Sequence, residues 1–309
     1  LRQLRGLGRG HGEAGRLTVT AGWKRARAAA GLLGWILRQS WNGMWRDDIT
    51  FYAAGIAFYS LFSIFALLFL LTILLGLVGG NPDDLRLLIG FPAGVIPAKA
   101  EEFLNQVLEI ARRPVPAQLL PLAIVTLFWT SSNVVQALIH ALNRIYHFQD
   151  SRAAWRTRLM ALAVVGTSSG FLILGFLFLV FGGDMAGGTE EARRLRDAIF
   201  RFVLQWSQPI SVLVVFLAAR LLYWLAPKFK HVHRVSWPGS LVFAATWFVT
   251  TVGFNQYLRR IAVYDQVYGP MATVVVTLTW VYVSALLVLV GGEVNAAFHR
   301  YRLEASSRG

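Results

Sequence analysis

Ionisable side chains inside or beside long apolar stretches are the residues of this chain that could do chemistry. Arg220 and Glu293 each interrupt an apolar run long enough to cross a bilayer. A charged side chain at the bilayer centre costs about 3 kcal/mol on insertion scales, so we expect both to be paired or hydrated. With polar groups that flank other apolar runs, they are predicted to line one substrate-binding cavity: Asp48, Asn143, Arg144, Arg220, Glu293 and Asn295, with Asp47 beside them.

Two interpretations of Arg220 and Glu293 stand side by side. An ion pair between them could lock the fourth and sixth predicted spans together, or both could belong to a substrate site. Arg220 could also extend its long side chain to the headgroup region. A second polar patch, from Thr130 to Gln136, lies deeper in the second predicted span. Hydrogen bonds between helices explain that patch at least as well as a transport path does.

Patterns typical of catalysis are weak or missing. The string from Gly166 to Gly170, GTSSG, matches the nucleophile motif of serine hydrolases. It lies within an apolar span, however, where glycines four residues apart favour close helix packing. His231 and His233 have a spacing that does not suit one face of a helix. With no cysteine, P-loop or dinucleotide fingerprint, we expect no metal, no cofactor and no enzymatic activity, including hydrolysis of RNA.

Composition and apolar runs predict the fold class. Hydrophobic residues make up 56% of the 309 residues, and charged residues only 15%, with a mean hydropathy of +0.52. These values do not fit an ordinary soluble domain. The first apolar run alone exceeds the roughly 20 helical residues that cross a bilayer. We predict an all-α integral membrane protein with six transmembrane helices, at about 49–77, 119–142, 159–181, 203–225, 236–256 and 271–298.

The segments around the apolar runs complete the predicted domains. Residues 1–46 are predicted to be a basic cytoplasmic arm. Its second half, from Ala21 to Arg46, should form an amphipathic interfacial helix, because Trp residues stand among cations there. Residues 47–298 are predicted to form the six-helix membrane domain, and 299–309 a cytoplasmic tail. Short helices are expected in the two larger extracytoplasmic loops, over 97–113 and 190–201.

The distribution of charge predicts the orientation. Nineteen Lys and Arg fall on the side of the N-terminus and ten on the other side, while acidic residues number five and ten. The positive-inside rule therefore places both termini in the cytoplasm. Membrane lipids with anionic headgroups at that face are the expected partners. Nucleic acid is not expected, and protein partners through the extracytoplasmic loops, or a homo-oligomer, stay open.

Four blocks of sequence follow one another in a specific order: DDITFYAAGIAFYSLFSIFALL from Asp47, ALNRIYHFQDSRAAWRTRLMAL from Ala141, WPGSLVFAATW from Trp237 and YGPMATVVVTLTWVYVSALLVLVGGEVNAAF from Tyr268. They resemble the YihY/BrkB family of bacterial inner-membrane proteins, and the resemblance covers nearly the whole chain. It implies a multi-pass protein of the plasma (inner) membrane with six helices. The family's former label as ribonuclease BN is regarded as mistaken, and its members are linked to movement of lipids or lipopolysaccharide precursors.

The resemblance also implies which positions matter, although none of them is an established catalytic residue. The positions that match are Asp48, Phe58, Tyr59, Asn143, Arg152, Pro238, Gly239, Tyr268, Gly269, Trp280, Gly292, Glu293 and Asn295. Together with the polar residues, the resemblance predicts a flippase-like lipid transporter that moves or handles anionic (phospho)lipids or lipid-linked precursors. Arg220 or Arg144 would receive the headgroup. The alternatives are a channel or carrier for a small solute, and a membrane scaffold that binds partner proteins.

Overall fold

The computed structural model of the chain describes residues 31, 34–78, 97–111, 116–147, 155, 158–159, 161–163, 166, 207–225, 236–260 and 271–307. These residues contain helices and turns but no strand, which confirms the all-helical prediction. Seven helices are labelled here in chain order: α1 over 34–46, α2 Ile49–Val78, α3 Ala98–Ala111, α4 Leu120–Ile145, α5 Ser207–Leu225, α6 Trp237–Arg260 and α7 Met271–Ser306.

Three segments of the described chain are long and apolar enough to cross a membrane. They are Ile49–Leu77, Ala117–Ile145 and Met271–Glu304, and they correspond to the first, second and sixth predicted spans. Helices α5 and α6 lie where the fourth and fifth spans were predicted, and α5 includes the shorter apolar helix Val212–Trp224. Most of the predicted third span lies outside the described residues, so the count of six spans stays a prediction.

Helix α7 is the centre of the described bundle, because α2, α3, α4 and α6 all pack against it. Small residues on α7 permit this close packing. A Cβ at Gly292 would lie 2.7 Å from Leu142 Cδ2, and one at Gly291 would lie 2.8 Å from the Gly239 carbonyl oxygen. A larger side chain at Gly291 would clash with backbone, and one at Gly292 would require the Leu142 side chain to shift. The core that forms around α7 includes Ile49, Leu142, Ile145, Tyr223, Phe243 and Leu289.

Helix α1 is the described part of the predicted interfacial helix, and it packs along α7. Ile36 is buried against Val294 and Ala297. The opposite face carries the exposed side chains of Trp41 and Trp45. Trp is enriched at membrane–water interfaces, and the interfacial position of α1 stays a prediction. The predicted arm before residue 31 lies outside the described residues.

Helix α3 confirms one of the two predicted loop helices and packs on α7 and α2. The buried ring of Phe103 contacts Phe65 edge to face, with 5.3 Å between the ring centroids. Thr273 Oγ1 donates to Gln106 Oε1 at 3.1 Å. Thr273 lies in the first turn of α7, whereas α1 packs near the C-terminal end of α7. Helices α3 and α1 therefore lie at opposite ends of the bundle. The second predicted loop helix, over 190–201, lies outside the described residues.

The last helix differs from its prediction at the C-terminal end. The apolar pattern places the end of the sixth span near Phe298, with a tail from 299 onwards, whereas α7 continues to Ser306. The continued helix carries Arg300 on the same face as Glu293, because residues seven apart are separated by about two turns. The length of α7 therefore determines the ionic partner of Glu293.

Candidate functional site

A two-residue turn between α1 and α2 presents two acidic side chains in different directions. Asp48 has a φ of 52°, a left-handed conformation that Asp adopts more readily than most residues. Its carbonyl oxygen accepts the backbone N–H of Phe51 at 3.0 Å. As a result, Asp47 points inwards with 4% of its side chain exposed, while Asp48 points outwards with 60% exposed.

Asp48 connects the start of α2 to the end of α4. Arg144 Nη2 donates to Asp48 Oδ2 at 2.7 Å, and 46% of the Arg144 side chain is exposed. His147, at a φ of 55°, is the second left-handed residue of the described chain and follows the end of α4. The ion pair joins the start of α2 to the end of α4, and almost half of the Arg144 side chain remains exposed to another anion.

A groove of about 810 Å³ lies between α2 and α4 and includes Arg144. We call it the α2–α4 groove. Its volume is within the range of small-molecule sites. One end is polar and the walls are aromatic or small: Arg144, His140 and Asn143 at the polar end, and Phe51, Tyr52, Tyr59, Ala54, Gly55 and Ala137 along the walls. From Tyr52 to Tyr59 the groove follows α2 for about 10 Å.

Glu293 is fully buried on α7, and Arg300 is its ion-pair partner. Arg300 Nη2 lies 3.8 Å from Glu293 Oε2. Within the described part of the chain, neither carboxylate oxygen of Glu293 has a hydrogen-bond partner. Asp47 lies within interaction distance of the same carboxyl group. The backbone of α1 covers the site, because a Cβ at Gly43 would lie 2.6 Å from Glu293 Cδ.

Arg46 connects this buried site to the end of α4. Its Nη2 atom lies 3.3 Å from Asp47 Oδ2 and 2.6 Å from His147 Nε2. Since Arg46 can only donate, His147 Nε2 must be the acceptor and the ring must be neutral. Burial, and then the nearby Arg46 charge, lower the pKa of His147 below its usual 6.5. The site therefore favours a neutral imidazole at this position.

Asn295 is fully buried and holds the first turn of α6. Its Oδ1 accepts the backbone N–H of Gly239 at 2.7 Å, and its Nδ2 donates to the Ser236 carbonyl oxygen at 3.2 Å. The amide thus satisfies the Gly239 N–H, which lacks a partner at the helix start. It also adds a third donor to the Ser236 carbonyl oxygen, which already accepts the N–H and the hydroxyl of Ser240. This geometry gives Asn295 a structural role, and its predicted contact with substrate stays a prediction.

Arg220 lies on the outside of α5 and does not line the α2–α4 groove. It is exposed and lines a separate cavity of about 390 Å³ with Leu217, Leu221, Trp224 and Ser236. Glu293 is paired with Arg300 instead, so the structure does not form the Arg220–Glu293 lock that the sequence suggested. An exposed arginine on an apolar helix fits the alternative in which its side chain extends to the headgroup region.

The predicted site residues therefore occupy three places instead of one cavity. Asp48, Asn143 and Arg144 meet at the α2–α4 groove. Glu293 and Asn295 are fully buried on α7, and Arg220 is on the surface of α5. Sequence reasoning missed the residues that complete these places: Arg46, Tyr52, His140, His147 and Arg300. Arg300 could have been found from its spacing of seven from Glu293, had the helix been extended past Phe298.

The deeper polar patch on α4 forms hydrogen bonds within and between helices. The hydroxyl groups of Ser63 and Ser131 are hydrogen-bonded between α2 and α4. Ser132 Oγ donates to the Trp129 carbonyl oxygen at 2.9 Å. These contacts support the packing interpretation of the patch. Of the GTSSG string only Gly166 is described, and a Cβ there would make an ordinary van der Waals contact with the Phe128 ring of α4 at 3.6 Å.

Comparisons with known proteins agree on one group of membrane proteins. The chain is 26% identical over 251 residues to the ribonuclease-like protein YfkH of Bacillus subtilis, which covers 80% of this chain and 89% of YfkH. It is 25% identical over 222 residues to a UPF0761 membrane protein of Idiomarina loihiensis, which covers 69% of this chain and 72% of that protein. No solved structure matches the chain.

A family model extends the agreement over most of the sequence. The model described as Virulence factor BrkB matches residues 40–309, from the middle of α1 to beyond the end of α7. That range contains the α2–α4 groove, the buried Glu293 and the Asn295 cap. The chain therefore belongs to the BrkB family of membrane proteins, which includes the UPF0761 membrane proteins.

Proposed function

We propose that this protein is a flippase-like lipid transporter that moves or handles anionic (phospho)lipids or lipid-linked precursors in the bacterial inner membrane. It works without a nucleotide-hydrolysing site of its own. The observation that carries the proposal is the α2–α4 groove, which combines one exposed guanidinium with walls of aromatic and small side chains. An anionic lipid has the same division into a charged head and an apolar body.

The chemistry of Arg144 suits a phosphate headgroup. A guanidinium has five donors in a planar fork and binds phosphate oxygens in pairs. Asp48 occupies Nη2 of this fork, and almost half of the side chain remains exposed. His140 and Asn143 lie at the same end and add polar groups. A headgroup phosphate would therefore compete with Asp48 for Arg144 or bind beside it.

The walls of the groove suit the apolar part of a lipid. Phe51 is 77% exposed, and Tyr59 presents a ring with a polar hydroxyl group. Aromatic rings with polar ends are common where acyl chains meet headgroups. The groove lies between two helices that are both long enough to cross a membrane, so acyl chains could stay in the bilayer while the headgroup enters.

The same end of the bundle carries the features expected at a cytoplasmic membrane surface. Trp41 and Trp45 are exposed on α1, on a helix that also carries the exposed cations Arg38 and Arg46. Trp side chains beside cations favour the headgroup region of an anionic leaflet. Combined with the excess of Lys and Arg on this side, they support an orientation with both termini in the cytoplasm.

The experiment that tests the proposal is lipid transfer in reconstituted vesicles. Labelled phosphatidylglycerol and labelled phosphatidylcholine are compared for the native chain, Arg144→Gln and Arg302→Gln. We expect Arg144→Gln to slow transfer of the anionic lipid about tenfold, since a charged hydrogen bond contributes about 1.5–3 kcal/mol and 1.4 kcal/mol is a factor of ten. The neutral lipid should change little.

Arg302 provides the matched control, because it is an exposed arginine on α7 outside the groove. Its substitution removes the same charge and should leave both rates as they are. Equal rates for all three proteins, with folding intact, would contradict the proposed site. Ion conductance in planar bilayers would favour the channel, and a stable copurifying protein without lipid flux would favour the scaffold.

A further inference from the structure

Glu293 is a buried acid that the proposed lipid site does not use. It has no exposed surface, and neither of its carboxylate oxygens has a hydrogen-bond partner among the described residues. The nearest cation, Arg300 Nη2, is 3.8 Å away, which is beyond hydrogen-bonding distance. An ionised carboxylate needs close donors to repay its loss of hydration. This geometry does not supply them.

Asp47 is the side chain that could supply the missing hydrogen bond of the Glu293 carboxyl group. It lies within interaction distance of the Glu293 carboxyl group and is itself 4% exposed. Two neighbouring ionised carboxylates repel each other and have no hydrogen atom to share. One proton changes this situation, because an O–H on either acid can donate to an oxygen of the other. A shared proton therefore gives Glu293 the hydrogen bond that it otherwise lacks.

The surroundings leave little room for a larger cation in this place. The backbone of α1 lies directly over Glu293, since a Cβ at Gly43 would be 2.8 Å from its Oε1 and 2.6 Å from its Cδ. Among the described residues no group of three or more acids or histidines could hold a metal ion. A proton requires no coordination shell and can be shared by two neighbouring carboxyl groups.

Other charged groups face the pair from each neighbouring element. Arg46 of α1 lies 3.3 Å from Asp47, and Arg300 approaches Glu293 from the next turns of α7. His147 contacts Arg46 from the end of α4, and its neutral ring adds no further positive charge. Burial raises the pKa of the Tyr146 hydroxyl, so this neighbour adds no negative charge. The two acids are thus the groups that exchange a proton.

We propose that Asp47 and Glu293 form a proton-exchange site at the junction of α1, α2 and α7. On uptake, a proton from water forms an O–H bond on one carboxylate, and that O–H donates to the other acid. On release, the proton returns to water and two facing carboxylates remain. Repulsion then favours separation of the α1–α2 turn from α7, or a closer approach of Arg300 to Glu293. The proposal does not depend on a lipid as the cargo.

The position of Asp47 connects this site to the α2–α4 groove. Asp47 precedes Asp48, whose carboxylate holds Arg144 at 2.7 Å. A displacement of the turn that moves one acid must move the next, because the two share a peptide bond. Proton exchange at the buried pair would therefore alter the Asp48–Arg144 contact. A transporter could use this connection to couple a proton gradient to movement of its cargo.

Infrared spectroscopy of the full chain in lipid bilayers tests the proposal. A protonated carboxyl group has a C=O band separate from those of carboxylates, and ¹³C-labelled Glu or Asp shifts the band of the acid concerned. We expect a protonated-carboxyl band at neutral pH that disappears on alkalinisation and shifts with one of the two labels. Glu293→Gln and Asp47→Asn should each abolish or displace this band, whereas Glu304→Gln, an exposed acid on the same helix, should leave it unchanged.

The infrared band of the ¹³C-labelled native chain tests the proposal even if a variant does not fold. A neutral-pH carboxyl band that responds to Glu or Asp labelling supports a shared proton without any substitution. The proposal is overturned if no such band exists across the titration, or if the band persists unchanged in folded Glu293→Gln and Asp47→Asn. The infrared experiment does not measure lipid transfer, so failure of the lipid-transport proposal and failure of the proton-exchange proposal are separate results.

Discussion

Arg144 Nη2 donates to Asp48 Oδ2 at 2.7 Å across 96 residues of sequence, and this pair connects the end of α4 to the start of α2. The pair lies at the polar end of the α2–α4 groove. It is both a packing contact and a competitor for any anion that approaches Arg144.

The first prediction concerns Asp48→Asn. Asn adopts the left-handed conformation as readily as Asp, so the turn at φ 52° should be kept while the charge is removed. Because both partners are about half exposed, the change in unfolding free energy should be below about 1 kcal/mol. Retention of phosphatidylglycerol on gentle solubilisation should increase, since Arg144 loses its competing anion. Reduced retention, with Glu304→Gln unchanged as the control, would contradict this role.

The second prediction concerns the contact between α1 and α7. In Gly43→Ala the new Cβ would lie 2.6 Å from Glu293 Cδ, so α1 must move or the carboxyl group must shift. Overpacking of this kind costs about 1–3 kcal/mol, measured as a lower melting temperature and faster proteolysis of α1. Gly34→Ala is the control on the same helix, because nothing lies within 4 Å of its Cβ position. Equal stability of the two variants would disprove the close contact.

The third prediction concerns Asn295→Ala. The substitution leaves the buried Gly239 N–H without its partner, whereas the Ser236 carbonyl oxygen still accepts the N–H and the hydroxyl of Ser240. We expect a loss of about 1–3 kcal/mol in unfolding free energy. Asn255→Ala is the matched control, because Asn255 accepts a single exposed hydrogen bond from the Ala98 N–H. If both variants lose the same small amount of stability, Asn295 does not hold the start of α6.

The fourth prediction concerns pH. The pKa of His147 is lower in the folded protein than its usual 6.5, because burial and Arg46 disfavour the charged ring. The unfolded chain therefore binds this proton first as pH falls, so the contribution of His147 to folding stability decreases as pH drops through 6.5. His147→Gln should reduce that dependence in melting curves recorded against pH. An unchanged slope in the variant would show that other groups cause the dependence.

The sequence predicted the helices better than it predicted their side-chain contacts. The charge-free run from Ile49 indicated α2, and hydropathy indicated α4 and α7. A helix that crosses a bilayer must be apolar over most of its length, so its composition alone identifies it. The helical spacing around Phe103 likewise indicated α3. These features depend on local composition, which a single sequence contains.

The side-chain contacts of the candidate site could not be predicted from the sequence alone. Glu293 was predicted to pair with Arg220 if it had a structural partner, because Arg300 lies past the end of the apolar pattern at Phe298. The helix continues past that point and places Arg300 two turns from Glu293. The α1–α2 turn has no Gly or Pro at its centre, so its left-handed Asp48 had no sequence signal. Hence the separation of Asp47 from Asp48 became visible only in three dimensions.

The most direct test of the central claim is native mass spectrometry of the gently solubilised protein with identification of retained lipids. The native chain, Arg144→Gln and Arg302→Gln are compared under the same conditions. If Arg144 receives an anionic headgroup at the α2–α4 groove, the native chain and Arg302→Gln retain a defined anionic lipid that Arg144→Gln loses. Retention of the same lipids by all three proteins would contradict the claim and leave Arg144 as the packing partner of Asp48.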